Sequence, residues 1–355
     1  GGASGPGYSP YPGAPGGQAG YGGYASVLAP KPSIIPLRPL SIGEILGGSF
    51  ESLRANPKAM FIPSLVVMTI LGIISALGTT YFFDRLGASS PFSSSTSQPD
   101  TTDLEKQWSS LFGLYAQSGV NSILTMFASS ILTGLLIVTV SRTILGRKAS
   151  LGDVWQRTRP RVWALIGQTL LIELILAVIT AVFVAVAVGI GWALLGNVIA
   201  NGASEDSAGT FVVAFLVLLA LLIVLGLAVF ALMCKLCLAP AALVLENIGV
   251  MEGISRSWTL TRGYFWRIVG IRLLSFLIVL VASQAAAYGV SLITQGLVYA
   301  APDAVIVLMA LSTLLNSLIQ AAILPFDSAV VALMYTDLRM RSEGLDVELR
   351  HAAGV

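Results

Sequence analysis

The chain has 355 residues and a formal net charge of +2; 55% of its residues are hydrophobic and only 11% are charged. A mean hydropathy of +0.83 lies far from that of soluble domains, so the composition predicts a polytopic membrane protein. Two Cys and one His exclude a disulfide framework and a metal-rich site.

The first 36 residues are rich in Gly, Pro and Tyr, a composition that cannot bury an apolar core. We predict a disordered tail here. A segment that binds a partner or condenses through its tyrosines is the alternative. The membrane domain is predicted to span residues 37–336, and residues 337–355 are predicted to form a charged C-terminal tail.

The membrane domain begins with an amphipathic helix near residues 41–56. Ser41 and Glu44 have the spacing of a capping box, and Asn56-Pro57 ends the helix. Two apolar stretches long enough to cross a bilayer follow, from Met60 to Phe83 and from Val120 to Leu145. The polar loop between them is predicted to carry a short surface helix that contains Leu104, Trp108, Leu111 and Phe112.

Two further copies of this unit follow. Their surface helices are predicted near 150–159 and 249–263, and each precedes a pair of apolar spans. The repeats are about 41–145, 150–245 and 249–336, with bends predicted at Gly189, Gly191 and Pro240. We therefore predict an all-α polytopic membrane protein with six transmembrane helices in three hairpins, each preceded by an amphipathic interfacial helix.

Matching residues support the repeat. Arg159 and Trp163 match Arg262 and Trp266 at an offset of 103, and Arg54 aligns with them in the first copy. The acidic residue that precedes the arginine is Glu44, Asp153 or Glu252 in the three copies. It lies 10, 6 and 10 residues before the arginine, so the middle helix is about one turn short. Shared order and spacing indicate duplication.

Cations decide the predicted orientation. Of the 20 Lys and Arg, 17 fall on the side that carries the surface helices and both termini. The positive-inside rule then predicts a multi-pass plasma-membrane protein with both termini in the cytoplasm. Trp155, Trp163, Trp258 and Trp266 are predicted to be interfacial anchors.

Several segments carry a family resemblance. They are Ala242 to Glu246, Gly249-Val250, Arg256-Ser257-Trp258, Leu260 to Gly263, Phe265-Trp266-Arg267, Tyr335 to Arg339 and Glu343 to Asp346. They resemble actinobacterial proteins of the glycerophosphodiester phosphodiesterase membrane-domain family over about Leu37 to Leu349. That family sometimes fuses this membrane domain to a catalytic domain with His and metal-binding carboxylates. Here the one His is His351, so the resemblance implies no hydrolase activity.

The residues themselves also indicate no enzyme and no cofactor. Cys234 and Cys237 form a C-x-x-C pair inside an apolar span without a second ligand pair, which favours two buried thiols over a redox or zinc site. Neither a phosphate loop nor a Ser-His-Asp set can be assembled. Nucleic acid is not an expected partner, because the cations are interleaved with interfacial Trp.

Three ionisable residues are predicted to lie inside the membrane, at one depth on three helices: Glu173, Lys235 and Asp327. Polar faces on the last two spans add Gln284, Asn316 and Gln320. Two hypotheses stay open. Either Lys235 neutralises one carboxylate and the amides join helices, or these residues line a groove, open toward the cytoplasm, in which Lys235 binds an anionic headgroup.

The surface helices add four candidates for binding anionic lipid headgroups, namely Arg159, Arg256, Arg262 and Arg267. The sequence therefore predicts a non-catalytic protein of the cell envelope that handles or transports lipids, with membrane lipids as partners. The alternative is a membrane scaffold or subunit that docks a partner envelope enzyme.

Overall fold

The structure, a computed structural model, describes residues 38–85, 101–146, 150–201 and 207–344, and within these ranges it contains helices and no strand. Six segments are long and apolar enough to cross a membrane, which confirms an all-α, multi-pass membrane protein. The predicted tail at 1–36 lies outside the described residues. The α-helices are α1 Ile42–Ala55, α2 Pro57–Arg85, α3 Thr101–Ile144, α4 Leu151–Thr158, α5 Val162–Asn201, α6 Ser207–Leu236, α7 Ala239–Leu245, α8 Val250–Arg262, α9 Phe265–Ala300 and α10 Val305–Glu343.

The three predicted surface helices are α1, α4 and α8, and side-chain caps define where they begin. At α1 the Ser41 hydroxyl accepts the N–H of Glu44, while the Glu44 carboxylate accepts the N–H of Ser41 at 2.7 Å. At α8 the Glu252 carboxylate accepts the N–H of Gly249 at 2.9 Å. Glu252 is thus engaged at the helix start, and the ion pair that its spacing from Arg256 suggests does not form.

Equivalent positions of the three surface helices have the same environment, which supports the threefold repeat. In each copy, the residue five positions before the aligned arginine is fully buried, and the residue that follows it is about half exposed. The buried set is Ser49, Val154 and Ser257; the exposed set is Phe50 at 45%, Trp155 at 46% and Trp258 at 45%. The same offsets that align the arginines relate these residues, so the copies share side-chain orientation as well as sequence.

The first hairpin differs from its prediction at the end that joins α2 to α3. The structure has α2 running to Arg85 and α3 starting at Thr101, so the polar loop is shorter than predicted. The prediction of a separate surface helix around Leu104 and Phe112 is wrong, because those residues belong to the first turns of α3. No Pro interrupts the chain from Thr101 to Gly119, so nothing ends the helix there.

The fourth span is interrupted where a bend was predicted. A turn at Cys237 and Leu238 separates α6 from α7, and Pro240 lies in the first turn of α7. By contrast, α5 is continuous through Gly189 and Gly191. The break frees backbone carbonyls within the bundle, and one of them, at Lys235, accepts a 2.6 Å hydrogen bond from Ser257 of α8.

The core is centred on the second half of α10. Every residue from Ser328 to Leu338 is buried, and this helix packs against α1, α2, α3 and α9. The sequence predicts that the membrane domain ends at residue 336, but α10 continues to Glu343 and ends at the left-handed Gly344. Asp337, predicted to be the first residue of the tail, is therefore buried in the core.

Two arginines link successive copies at one end of the bundle. Arg161, before α5, donates to the carbonyl of Ile248 at 3.1 Å, and Arg267, in α9, donates to the carbonyl of Leu40. Ile248 and Leu40 are equivalent residues, each preceding the N-cap of a surface helix. An arginine of the second copy thus donates to the start of the third copy, and an arginine of the third copy donates to the start of the first. We call this end, which carries α1, α4 and α8, the basic end.

Candidate functional site

A polar groove lies among α3, α9 and α10, with α2 contributing apolar side chains. Its volume is about 860 Å³. Because Gln320 lies 17 residues before Asp337, the groove is roughly 25 Å from the basic end at 1.5 Å per helical residue. It lies near the middle of the bundle, deeper than the cytoplasm-facing position expected from the sequence. Its main polar lining is Asn121, Thr125, Ser129, Gln284, Asn316 and Gln320.

The structure brings three of the predicted polar residues together in this groove: Gln284, Asn316 and Gln320. Gln284 and Gln320 make no hydrogen bond to any residue that the structure describes. Asn316 uses its amide nitrogen on the carbonyl of Ser312 at 2.8 Å, which leaves its side-chain oxygen for a ligand. No ionisable side chain lines the groove among the described residues.

The wall on α3 is a feature that the sequence reading missed. Asn121, Ser122, Thr125 and Ser129 line the groove at steps of 1, 3 and 4, which places them on one helix face. The signal was present in the sequence as a polar stripe within an apolar span. Asn121 accepts a hydrogen bond from Ser75 of α2, so the stripe also joins the two helices of the first hairpin.

The predicted cluster of Glu173, Lys235 and Asp327 does not form. Asp327 pairs with Arg272 of α9 at 2.8 Å rather than with Lys235. Arg272 is one of the 17 cations that the sequence places on the basic side, yet it lies inside the span about 10 Å beyond the start of α9. Its partner is 55 residues away, so no local spacing could have revealed the pair.

Lys235 and Glu173 have separate surroundings. The Lys235 ammonium lies 4.4 Å from the ring centroid of Trp258 and 5.4 Å from that of Phe265, a cation–π arrangement. Neither Lys235 nor Glu173 has a salt-bridge partner in the described part of the chain. Glu173 lies on an exposed face of α5. Lys235 does not line the groove, so the hypothesis that it binds a headgroup there is wrong.

At the basic end, Asp337 is the centre of one ion-pair network. Its fully buried carboxylate accepts hydrogen bonds from Arg267 and Arg341, each at 3.0 Å, and from the N–H of Leu40 at 2.7 Å. The Leu40 carbonyl in turn accepts from Arg341 at 2.7 Å. Arg267, a predicted headgroup ligand, is engaged within the protein.

Glu246 is the centre of a second network. It accepts from Arg256 at 3.0 Å and from the hydroxyl of Tyr335, while Glu343 accepts from Arg256 and from Arg339. Burial opposes the charge on Arg256, but its hydrogen bonds with Glu246 and Glu343 outweigh that effect and raise its pKa. Arg256, the second predicted headgroup ligand to be engaged, joins α8 to the ends of α7 and α10.

The other two predicted headgroup ligands remain accessible. Arg159 and Arg262 are exposed, and neither makes a hydrogen bond or ion pair with another residue in the described ranges. The four candidates thus divide into two structural arginines and two that face outward.

The remaining chemical candidates are the two cysteines and the single histidine. Cys234 and Cys237 are free thiols, and Cys237 donates to the carbonyl of Cys234 at the break after α6. The described residues contain no group of three His, Cys, Asp or Glu able to hold a metal ion. His351 lies outside the described residues.

A smaller pocket of about 190 Å³ adjoins the polar groove, because Ser129 lines both. The rest of its polar lining is Ser130 and Thr133 of α3, Thr169 of α5 and Cys237 at the helix break. The polar surface of α3 therefore continues from the groove toward the break between α6 and α7.

Comparison with known proteins gives one match. A family model described as a domain of unknown function, DUF7847, matches residues 40–338. No curated protein and no solved structure matches the chain. The matched residues include all three surface helices, the polar groove, five complete spans and the sixth as far as Leu338. The resemblance to the glycerophosphodiester phosphodiesterase membrane-domain family stays a prediction.

Proposed function

The chain belongs to the DUF7847 family, and we propose that it handles lipids by receiving the polar headgroup of a membrane lipid in the groove among α3, α9 and α10. The groove is the observation that carries the proposal. It lies within the spans and has room for about 860 Å³ of ligand or water.

Unpartnered amides in the groove support this proposal. A polar group without a hydrogen-bond partner costs several kcal/mol in a bilayer. Gln284 and Gln320 lack partners among the described residues, and the side-chain oxygen of Asn316 is also free. Water or the polar part of a ligand must therefore occupy the groove when the protein is in a membrane.

The rest of the lining favours an amphipathic molecule over an ion. Apolar side chains adjoin the amides, and they are Met68, Leu71, Ile319 and Leu324. Because no ionisable residue lines the groove in the described structure, recognition there would rest on hydrogen bonds. Such a lining suits hydroxyl or amide groups of a headgroup, with acyl chains against the apolar wall.

Replacing both free glutamines tests the proposal. Gln284→Leu with Gln320→Leu should reduce the lipid that copurifies with the protein several-fold, as measured by mass spectrometry of extracted lipid. The matched control is Gln295→Leu on α9, because Gln295 lies outside the groove lining and bonds Ser291. An unchanged lipid content in the double variant, with normal folding, would rule out the groove as the lipid site.

A scaffold role is the second candidate, favoured by a cleft of about 430 Å³ on α8. Glu246, Glu252, Ser255 and Arg256 line this cleft at the basic end, where a partner protein could dock. A photo-reactive residue at Ser255 would test it. One defined protein adduct, together with unchanged lipid content in the groove variants, would favour the scaffold over lipid handling.

For location, we propose the plasma membrane with the basic end in the cytoplasm, because most Lys and Arg lie there. Labelling of single cysteines in intact cells tests the orientation, after Cys234 and Cys237 are replaced by Ser. Ser255→Cys should resist an impermeant reagent from outside, whereas Ser95→Cys should react. The reverse pattern would invert the topology.

We further propose that the chain is not itself a hydrolase. The purified protein should not release glycerol phosphate from a glycerophosphodiester with added divalent metal. Metal-dependent hydrolysis that is lost in a His351→Ala variant would contradict this proposal.

A further inference from the structure

Each surface helix ends with an aromatic residue and an arginine four residues later. The pairs are Phe50 with Arg54, Trp155 with Arg159, and Trp258 with Arg262. Residues four apart lie on one face of a helix, so each pair forms a single patch. All six side chains are exposed, and the aromatic exposures agree within one percentage point across the copies.

The buried neighbours fix the direction in which these patches point. Ser49, Val154 and Ser257 each precede the aromatic residue and are fully buried. Thr158 and Thr261 precede two of the arginines and are also fully buried. Because one face of each helix is anchored in the bundle, the exposed arginines point away from it. The half-exposed rings lie at the edge of the bundle, where Phe50 packs on Phe326 with ring centroids 4.7 Å apart and Trp258 contacts the Lys235 ammonium at 4.4 Å.

The three arginines have no internal role that would engage their charge. Within the described ranges, none of Arg54, Arg159 and Arg262 makes a hydrogen bond or an ion pair, in contrast to Arg256 and Arg267. A guanidinium matches phosphate oxygens in two parallel hydrogen bonds. Trp rings favour the headgroup level of a bilayer, so Trp155 and Trp258 would lie beside such a phosphate.

We propose that the three pairs are equivalent binding sites for the phosphate of an anionic phospholipid, one in each copy of the repeat. This inference is independent of the groove, which lies near the middle of the bundle and has no cationic lining in the described structure. It also assigns Arg54, which the sequence did not single out as a headgroup ligand.

Binding of phosphatidylglycerol to the full chain in phosphatidylcholine nanodiscs tests the proposal. Arg159→Gln with Arg262→Gln should weaken binding at two sites by about fivefold each, and Arg54→Gln should weaken the third by a similar factor. Lysine at the same positions should retain only part of the binding, because the charge is kept but the two parallel hydrogen bonds of the guanidinium are lost. The matched control is Lys58→Gln with Arg157→Gln, which removes two exposed charges outside the pairs.

The outcomes separate the sites from simpler roles of the arginines. Equal losses in the control pair would show diffuse attraction and overturn the proposal. A loss of stability that is the same in phosphatidylcholine and phosphatidylglycerol would indicate that the arginines only stabilise the C-terminal ends of their helices, and would also overturn it. Elution of each variant as a single folded species confirms that altered binding does not reflect misfolding. Retained lipid binding with loss of a copurifying acidic protein would assign the patches to a protein instead.

Discussion

The backbone N–H of Leu40 donates a 2.7 Å hydrogen bond to the carboxylate of Asp337, which lies 297 residues later in the chain. Arg267 and Arg341 complete this network, and Glu246 with Arg256 forms a second one nearby. The residues that carry the family resemblance therefore act, in part, as structural contacts at the basic end rather than as ligands.

Asp337→Asn should destabilise the fold by about 3 kcal/mol. The substitution leaves an acceptor for Leu40 but removes the charge that compensates Arg267 and Arg341 in a buried site. Thermal unfolding in detergent measures the effect. Asp303→Asn, at the exposed turn before α10, is the control and should change stability little. Equal melting temperatures for both variants would contradict the network's role.

The pair between Arg272 and Asp327 should behave as one unit. Either single change, Arg272→Met or Asp327→Leu, leaves one charge without its partner within the membrane and should lower yield and stability. The double variant should recover most of the loss, with a coupling energy on the order of 2 kcal/mol. Additive losses in the double-mutant cycle would show that the two residues act separately.

Lys235→Met should have a small effect, about 1 kcal/mol, because the ammonium contacts the Trp258 and Phe265 rings and no carboxylate. Lys235→Arg should preserve the stability. Neutralising Glu173 and Asp327 should not rescue Lys235→Met. Rescue would restore the sequence-based hypothesis of a three-residue cluster, and unfolding in detergent at increasing temperature distinguishes the two results.

The cap of α1 should make stability depend on pH. A hydrogen bond from the N–H of Ser41 lowers the pKa of Glu44 below its ordinary value of 4.5. The stabilisation is therefore fully present above the ordinary pKa and is lost as pH falls through the lowered one. Glu44→Gln should cost about 1 kcal/mol at pH 7 and less near pH 2. A variant whose melting temperature differs equally from wild type at both values would contradict this assignment.

Local and periodic features were accessible from the sequence. Ser41 with Glu44 indicated a helix start, Pro240 indicated a break, and the offset of Arg159 and Arg262 indicated the repeat. Each depends on residues within one turn or on a copied pattern. The three surface helices and six spans follow from such features, so they could be predicted.

Distant pairings could not be predicted in the same way. Glu252 and Arg256 have the spacing of an ion pair. Yet Glu252 accepts the N–H of Gly249 at the helix cap, and Arg256 pairs with Glu246. Asp337 was assigned to a tail because its neighbours are charged, whereas its partners lie on α1 and α9. In the candidate site, the polar residues of α9 and α10 were found, but their meeting with α3 required the tertiary fold.

The links from Arg161 to Ile248 and from Arg267 to Leu40 give the bundle no natural first copy. Leu40 lies beside Asp337 and Arg341, so the beginning and end of the domain meet at the basic end. A circular permutant that joins these ends through a short linker and opens the chain before Ser150 should therefore fold, with the second copy translated first. The order in which the hairpins are synthesised would then be separable from the order in which they pack.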